Sequence, residues 1–178
     1  LSSDNGRYKL AGENATDFPK IPVIKNSYSI NIDSDILENA ISSTIFATSN
    51  DELKPQMTGV CFNFTEKNAT FVATDGHRLV RYRRPDLTTD AAHMIIVPRK
   101  ALNLLKSCLP SESTSVKIDF NASNAFFGFG TIEMVCRLID ERFPDYENVI
   151  PSNNSNKMTI DRSELISSLK RISIYANK

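Results

Sequence analysis

The chain has 178 residues, 40% of them hydrophobic and 24% charged, and its 21 Lys plus Arg are balanced by 21 Asp plus Glu. Enough apolar side chain is present for a real core, so disorder is not the default. The zero net charge excludes nucleic-acid binding driven by overall basicity, and any such binding has to come from cations gathered on one face. No apolar run approaches a membrane span, and Leu1-Ser2-Ser3-Asp4-Asn5 is not a signal peptide.

The opening segment starts without methionine, in mid-pattern, which sets the expectation of a piece of a longer protein; it closes on Asp17-Phe18-Pro19-Lys20-Ile21-Pro22. Ser29 to Leu37 then reads as a short strand, a helix-start residue and an amphipathic helix. Asp33 suits the N-cap, and Ile36, Ala40, Ile41 and Ile45 mark one face. Val60-Cys61-Phe62-Asn63-Phe64 turns at Glu66-Lys67-Asn68 into Thr70-Phe71-Val72-Ala73, an antiparallel hairpin. The second of these strands runs into Thr74-Asp75-Gly76-His77-Arg78-Leu79-Val80. An acid, a glycine, an imidazole and a guanidinium occupy four consecutive positions between apolar flanks. Such a turn on a rigid sheet is where binding residues are usually placed. Arg81, Arg83 and Arg84 follow, and they read as a solvated outer sheet edge.

The strand-then-helix pattern returns at Met94 to Leu102, with Pro98 as a first-turn proline and Leu102, Leu105 and Leu109 on one face. Arg99, Lys100, Asn103 and Lys106 lie opposite those leucines, and from spacing alone they read as a solvated helix face. Val116 to Phe120 turns at Asn121-Ala122-Ser123-Asn124 into Ala125 to Phe129, a second hairpin. Glu141-Arg142-Phe143-Pro144-Asp145-Tyr146 and the linker Pro151-Ser152-Asn153-Asn154-Ser155-Asn156 come next. Lys157 to Leu165 opens the pattern a third time, with Asp161 as N-cap, Glu164 in capping-box position and Leu165, Leu169 and Ile172 as the apolar face.

Helix starts at Asp33, Pro98 and Asp161 thus recur about every 65 residues, the mark of duplicated supersecondary units sharing a core. The expected class is α+β, each copy laying a helix on one face of an antiparallel sheet. Cys61, Cys108 and Cys136 have apolar neighbours and no metal spacing, so buried free thiols are expected. His77 and His93 are the two histidines, and no nucleophile elbow, phosphate-cradling loop or metal-ligand spacing occurs. No catalytic group, metal or cofactor is therefore expected. Two other functions stay open on residues alone: a hydrolase built on Asp75 and His77, and a peptide-binding scaffold unrelated to DNA.

Thr74-Asp75-Gly76-His77-Arg78-Leu79, Ile96-Val97-Pro98-Arg99-Lys100 and Arg142-Phe143-Pro144-Asp145-Tyr146, in this order and spacing, resemble the bacterial DNA sliding clamp, the beta subunit of DNA polymerase III. The resemblance covers the whole chain. It implies the DNA-clamp fold, with residues 1–22 as the tail of a first clamp domain, 23–150 as the second domain, and 151–178 as the linker, first strand and first helix of a third. It implies a polymerase processivity factor without catalytic activity of its own, acting in the bacterial cytoplasm. A head-to-tail homodimeric ring would surround duplex DNA without base readout, while the present chain alone would be monomeric. It further implies a pocket for short peptides of polymerase, clamp loader and repair proteins, to which Met57, Thr74, Gly76, His77, Arg78, Leu79, Pro144 and Val149 contribute. Asn148 stands where the family often carries a basic residue. Arg99, Lys100, Asn103, Lys106 and Lys54 become DNA-facing, although Pro55-Gln56 stands where relatives often place aromatics. Asp33, Asp35 and Glu38 make the first helix acidic at its start.

Overall fold

The structure, a computed structural model, describes residues 1–23 and 27–176; residues 24–26 and 177–178, which fall inside the expected second and third domains, lie outside the described residues. Two compact units are present, Leu1–Phe143 and Pro144–Lys178.

The first unit opens with a small ribbon, β1 (Ser2–Ser3) paired with β2 (Gly6–Arg7), and a 3-10 turn at Ala15–Asp17. One pattern then runs twice. β3 (Tyr28–Asp33) feeds α1 (Ser34–Thr44), followed by β4 (Gly59–Phe64), β5 (Ala69–Thr74) and β6 (Leu79–Arg84). β7 (His93–Pro98) feeds α2 (Arg99–Cys108), followed by β8 (Ser115–Phe120), β9 (Asn124–Phe129) and β10 (Ile132–Arg137). Both expected hairpins form, β4–β5 and β8–β9.

The two copies are not self-contained. The sheet orders are β6-β5-β4-β7 and β10-β9-β8-β3, so each copy's helix-feeding strand completes the other copy's sheet. The helix starts are tied in the same crossed way. The Ser34 amide donates to the Thr114 carbonyl just before β8 (2.8 Å), and the Arg99 amide donates to the Thr58 carbonyl just before β4 (3.2 Å). Tyr28 and His93, the first residues of the exchanged strands, have ring centroids 3.7 Å apart. Their cross-strand partners, Phe120 and Phe64, stack at 6.1 Å.

A single core gathers both sheets and both helices, with Ile32, Leu37, Ile41, Phe62, Phe64, Phe71, Leu102, Leu105, Ile118, Phe120 and Phe127 among its members. β8 alternates buried with mostly exposed positions and β9 buried with half-buried ones, as a sheet with one face on the core must, whereas β5 is buried along its whole length. Phe62 meets Phe71 edge-on at 4.8 Å, inside the aromatic cluster that holds the first sheet to the helices. Among the described residues, every buried side-chain nitrogen and oxygen has a hydrogen-bond partner.

Several expectations need correction. The buried face of α1 is Leu37, Ala40, Ile41 and Thr44, while Ile36 and Ile45 are only half-buried. The helix begins one residue after Asp33 as expected, and Leu37 and Thr44 fill the middle of the inward face while Ile36 and Ile45 lie at its two flanks. Thr44 is tolerated in the core because its hydroxyl donates to the Ala40 carbonyl at 2.7 Å. Asp33 occupies the N-cap position of α1 without a side-chain cap bond, and Pro98 is the N-cap residue of α2 rather than its first helical residue. Leu102 and Leu105 are fully buried, whereas Leu109 has left the helix and is half-buried. All three cysteines are free, but only Cys61 is buried. Burial pushes its thiol up to about 12 and that of half-buried Cys136 up to about 11, so neither supplies a thiolate.

The second unit holds a 3-10 turn at Glu147–Val149 and α3 (Arg162–Ser173). Asp161 caps α3 as expected, its Oδ1 accepting from the amides of Ser163 (2.8 Å) and Glu164 (3.0 Å). The expected strand at 157–160 does not form among the described residues, since a strand needs a ladder partner. Leu165, Leu169 and Ile172 are exposed rather than buried. A single helix in a short unit has no second layer to bury against.

Two substitutions test this packing. Leu37→Ala removes a fully buried side chain between helix and sheet, and should cost about 3 kcal/mol in denaturant unfolding. Gly59→Ala places a Cβ 2.5 Å from the Val97 carbonyl oxygen across the exchanged β4–β7 pair. Backbone there cannot yield cheaply, so a loss of about 2 kcal/mol is expected by the same measurement.

Candidate functional site

One end of the sheet β6-β5-β4-β7 collects most of the residues singled out by sequence. β5 ends at Thr74, the turn spans Asp75 to Arg78, and β6 leaves at Leu79. Met57 sits in the 3-10 turn Pro55–Met57 that leads into β4 at the same end of the sheet, and β7 delivers Arg99 and Lys100 there at the start of α2.

The corner is held by its own side chains. Thr74 Oγ1 donates to the Arg78 carbonyl (2.8 Å) and accepts from the Gly76 amide (3.1 Å). Asp75 Oδ1 accepts from the amides of His77 and Arg78, both at 3.0 Å, and Oδ2 accepts from Arg78 Nε at 3.0 Å. The Arg78 and His77 amides, followed by the Arg78 charge, hold the Asp75 carboxyl below the usual carboxylate range. Gly76 carries φ +89°, and a Cβ built there meets nothing within 4 Å. Glycine is needed for the backbone angle, not for a close approach.

Asp75 is thereby spent on the turn. Among the described residues it makes no pair with the His77 imidazole, which is exposed, so a carboxylate–imidazole dyad is not assembled. No group of three or more His, Cys, Asp or Glu able to hold a metal occurs among the described residues. No helix among them is long and apolar enough to cross a membrane.

The residues singled out by sequence differ in exposure. Thr74 is buried, Met57 and Leu79 are half-buried, and Gly76, His77 and Arg78 are exposed. Pro144, half-buried, and Val149, exposed, belong to the second unit, where Asn148 is tied to Asp145 Oδ2 at 2.6 Å. On α2, Arg99, Lys100, Asn103 and Lys106 are all exposed, as is Lys54 on its loop. Ser49, Asn50, Glu52, Pro55, Thr58, Pro98, Arg99 and Lys100 line a shallow groove of about 430 Å³. Arg99 Nη1 donates to Asn50 Oδ1 within it. β6 is indeed an edge strand; Arg81 and Arg83 are exposed, and Arg84 grips Asp86 through Nε at 2.8 Å and Nη2 at 2.5 Å.

Phe46, in the 3-10 turn Ile45–Ala47 after α1, was not among the residues that sequence pointed to. The residue is 56% exposed, and its ring centroid lies 5.9 Å from Arg78 Cζ. The readable signal was an aromatic one position beyond the helix's apolar stripe, where burial does not require it.

The turn geometry makes two testable statements. Gly76→Ala should cost about 1 kcal/mol from backbone strain alone, read by denaturant unfolding, with no repacking nearby. Asp75 is more acidic folded than unfolded, so its contribution is present above the ordinary Asp pKa of about 3.9 and is lost as pH falls through the depressed folded value. Amide resonances of His77 and Arg78 should therefore keep their folded shifts down to about pH 4 and move together below it; Asp75→Ala should move them at every pH.

Comparison with known proteins places this geometry in a family. The model of the DNA polymerase III beta subunit, central domain, matches residues 31–145. The beta sliding clamp of Bacillus subtilis (strain 168) is 28% identical over 179 residues, covering 100% of this chain and 47% of the relative. A crystal structure of the DNA polymerase sliding clamp from Bacillus subtilis superposes with a TM-score of 0.87 at 28% identity, over 93% of this chain and 44% of that one. The sliding clamp (DNA polymerase III subunit beta) from Bartonella birtlesii, bound to griselimycin, gives a TM-score of 0.84 at 29% identity, over 92% of this chain and 45% of that one. The chain thus spans about half the length of the curated relatives it matches. With the exchanged two-copy fold and the central-domain match over most of its length, the chain belongs to the DNA polymerase III beta subunit family.

Proposed function

We propose that this chain is the middle part of a DNA polymerase processivity factor. The clamp closes as a head-to-tail homodimeric ring, surrounds duplex DNA without reading bases, and works in the bacterial cytoplasm. It breaks and makes no bond; its activity is topological. Residues 1–22 end the first clamp domain, 23–150 form the second, and 151–178 begin the third. The central-domain match over residues 31–145 is the observation that carries this reading.

The charge arrangement supports a phosphate-facing role for α2. Arg99 and Lys100 sit in the first turn of the helix, which contains no acid. Cations there oppose the helix dipole and weaken the helix, but the same positive end attracts an anion. Lys106 and Asn103 continue the exposed face, and Lys54 adds a cation from the neighbouring loop. α1 opposes this with exposed Asp33, Asp35 and Glu38, so phosphate attraction is concentrated on α2. A few phosphate contacts hold DNA weakly, and closure of the ring supplies retention.

The corner supports a partner-docking role. Met57 and Leu79 offer apolar wall for a peptide's Leu or Phe anchors, His77 and Arg78 offer polar rim, and the self-bonded turn keeps them in place. The family resemblance assigns Pro144 and Val149 to the same partner-docking role in this proposal.

Two measurements test the reading. An NMR titration with a short Leu- and Phe-bearing peptide should move Met57, Thr74 to Leu79, Pro144 and Val149, weakly in this chain and strongly in one extended through the third domain; no movement in either overturns the pocket. In the complete clamp, Lys100→Ala should weaken loading-independent DNA affinity uniformly across sequences and reduce the slope of log affinity against log salt by about 0.9. An unchanged slope would remove Lys100 from the DNA-facing set.

A further inference from the structure

The segment that leaves β10 closes a cavity that shares no residue with the β5–β6 corner. Two backbone bonds pin this strap. The Leu138 amide donates to the Ser123 carbonyl in the β8–β9 turn (2.8 Å), and the Ile139 amide donates to the Ile96 carbonyl on β7 (3.0 Å). Each bond reaches a different sheet, so the strap is tied across the junction of the two halves. Residues 93–96 of β7, residues 120–122 and residues 138–143, with Tyr28, enclose about 370 Å³. That is the size of a small-molecule site, and the pinned strap leaves it pre-formed.

Three kinds of surface line the space. Tyr28, His93 and Phe120 supply rings, with the Tyr28 centroid 3.7 Å from that of His93 and 5.9 Å from that of Phe120. Met94 and Ile139 supply aliphatic wall. Asp140 and Glu141 supply carboxylates, and among the described residues neither makes an ion pair, although Arg142 follows them and lines the same space. The duplication shows that this lining is more than a by-product of the fold. The positions of β3 equivalent to Met94 and Ile96 are Ser29 and Asn31, both polar and exposed.

Unpaired carboxylates select a cation, and Arg142 lowers their excess to one negative charge without cancelling it. Aromatic rings attract a cation as well, and the aliphatic wall takes methylenes. We propose that this cavity binds a free aliphatic diamine, with one ammonium at Asp140 and Glu141, the chain along Met94 and Ile139, and the second ammonium against the rings. A free diamine is favoured over a partner's lysine because cation-attracting groups stand on two walls, and a lysine brings one charge. The inference does not depend on the partner-docking reading of the corner.

The test titrates the complete clamp with putrescine and follows the methyl resonances of Met94, Ile96 and Ile139. All three should move at millimolar putrescine and stay in place with the uncharged diol of the same length. Butylamine, with one ammonium, should bind about threefold more weakly than putrescine. Asp140→Asn combined with Glu141→Gln should weaken putrescine about five- to tenfold at low salt, with the difference shrinking at high salt. Tyr28→Leu, at an exposed position whose loss the fold tolerates, should weaken it about threefold. Glu133→Gln, an exposed carboxylate outside the cavity, should leave the affinity unchanged. Methyl resonances that do not move with putrescine overturn the proposal. Equal shifts with the diol make the cavity an apolar hole and overturn the cation. A loss with Glu133→Gln as large as with the double variant marks a diffuse counter-ion effect and overturns the site. Shifts with a lysine-bearing peptide and none with putrescine assign the cavity to a partner's side chain and overturn the free diamine.

Discussion

Everything in the first unit depends on the exchange of helix-feeding strands between its two halves. β3 has no sheet of its own to join; its ladder partner β8 lies more than 80 residues further along the chain. β7 does the reverse, pairing back to β4. Neither half can satisfy its backbone or bury its helix alone, so the two must fold as one. The Tyr28–His93 contact and the Phe64–Phe120 stack stand at related positions of the two crossed ladders. They mark where the local two-fold relation between the halves passes through the structure.

That constraint also creates the site. Because β7 lies beside β4, the strand that launches α2 ends at the same end of the sheet as the β5–β6 corner. Cations at the start of α2 and the polar corner are thus fixed to one rigid frame, although Arg99 and Arg78 lie 21 positions apart in sequence. The frame is stiff where it must be: Gly59 admits no side chain against the Val97 carbonyl. The turn above it is stiff for a separate reason, since Thr74 and Asp75 supply its hydrogen bonds from within. If the corner docks a partner as proposed, a surface made this way loses little entropy on binding.

Much of this was legible in the sequence, and the exceptions have physical causes. The helices, both hairpins and the corner followed from local periodicity and turn chemistry, which act over a few residues. The strand exchange was not legible: β3 and β7 look identical as strands whether they pair within a copy or across copies, and only long-range packing decides. Leu37 was missed, and Ile36 preferred to it, because periodicity picks out the apolar side of the helix but does not separate the middle of the inward face, which Leu37 holds, from its flank, where Ile36 lies. The strand expected at 157–160 illustrates the same limit, because a strand pattern specifies a surface that wants a partner and cannot supply one. In the corner, Asp75 as a turn-capping acid was readable from Asp's affinity for its own backbone. Phe46 was not, since its contact with Arg78 spans 32 positions and leaves no local pattern.

The electrostatics separate retention from recognition. A chain with zero net charge has no general attraction for DNA, and α1 presents acids where α2 presents cations. Strong phosphate binding on both helices would hold a ring fast to one place on the duplex. Under the proposed clamp function, a single cationic helix face beside an acidic one keeps the interaction with phosphates shallow, and retention falls to closure of the ring. Under the same proposal, recognition of partners needs its own source of specificity, and the β5–β6 corner on the same frame supplies it. In that proposal, a turn braced by its own carboxylate offers a docking rim of fixed shape, whose hydrogen bonds owe nothing to the cationic helix face.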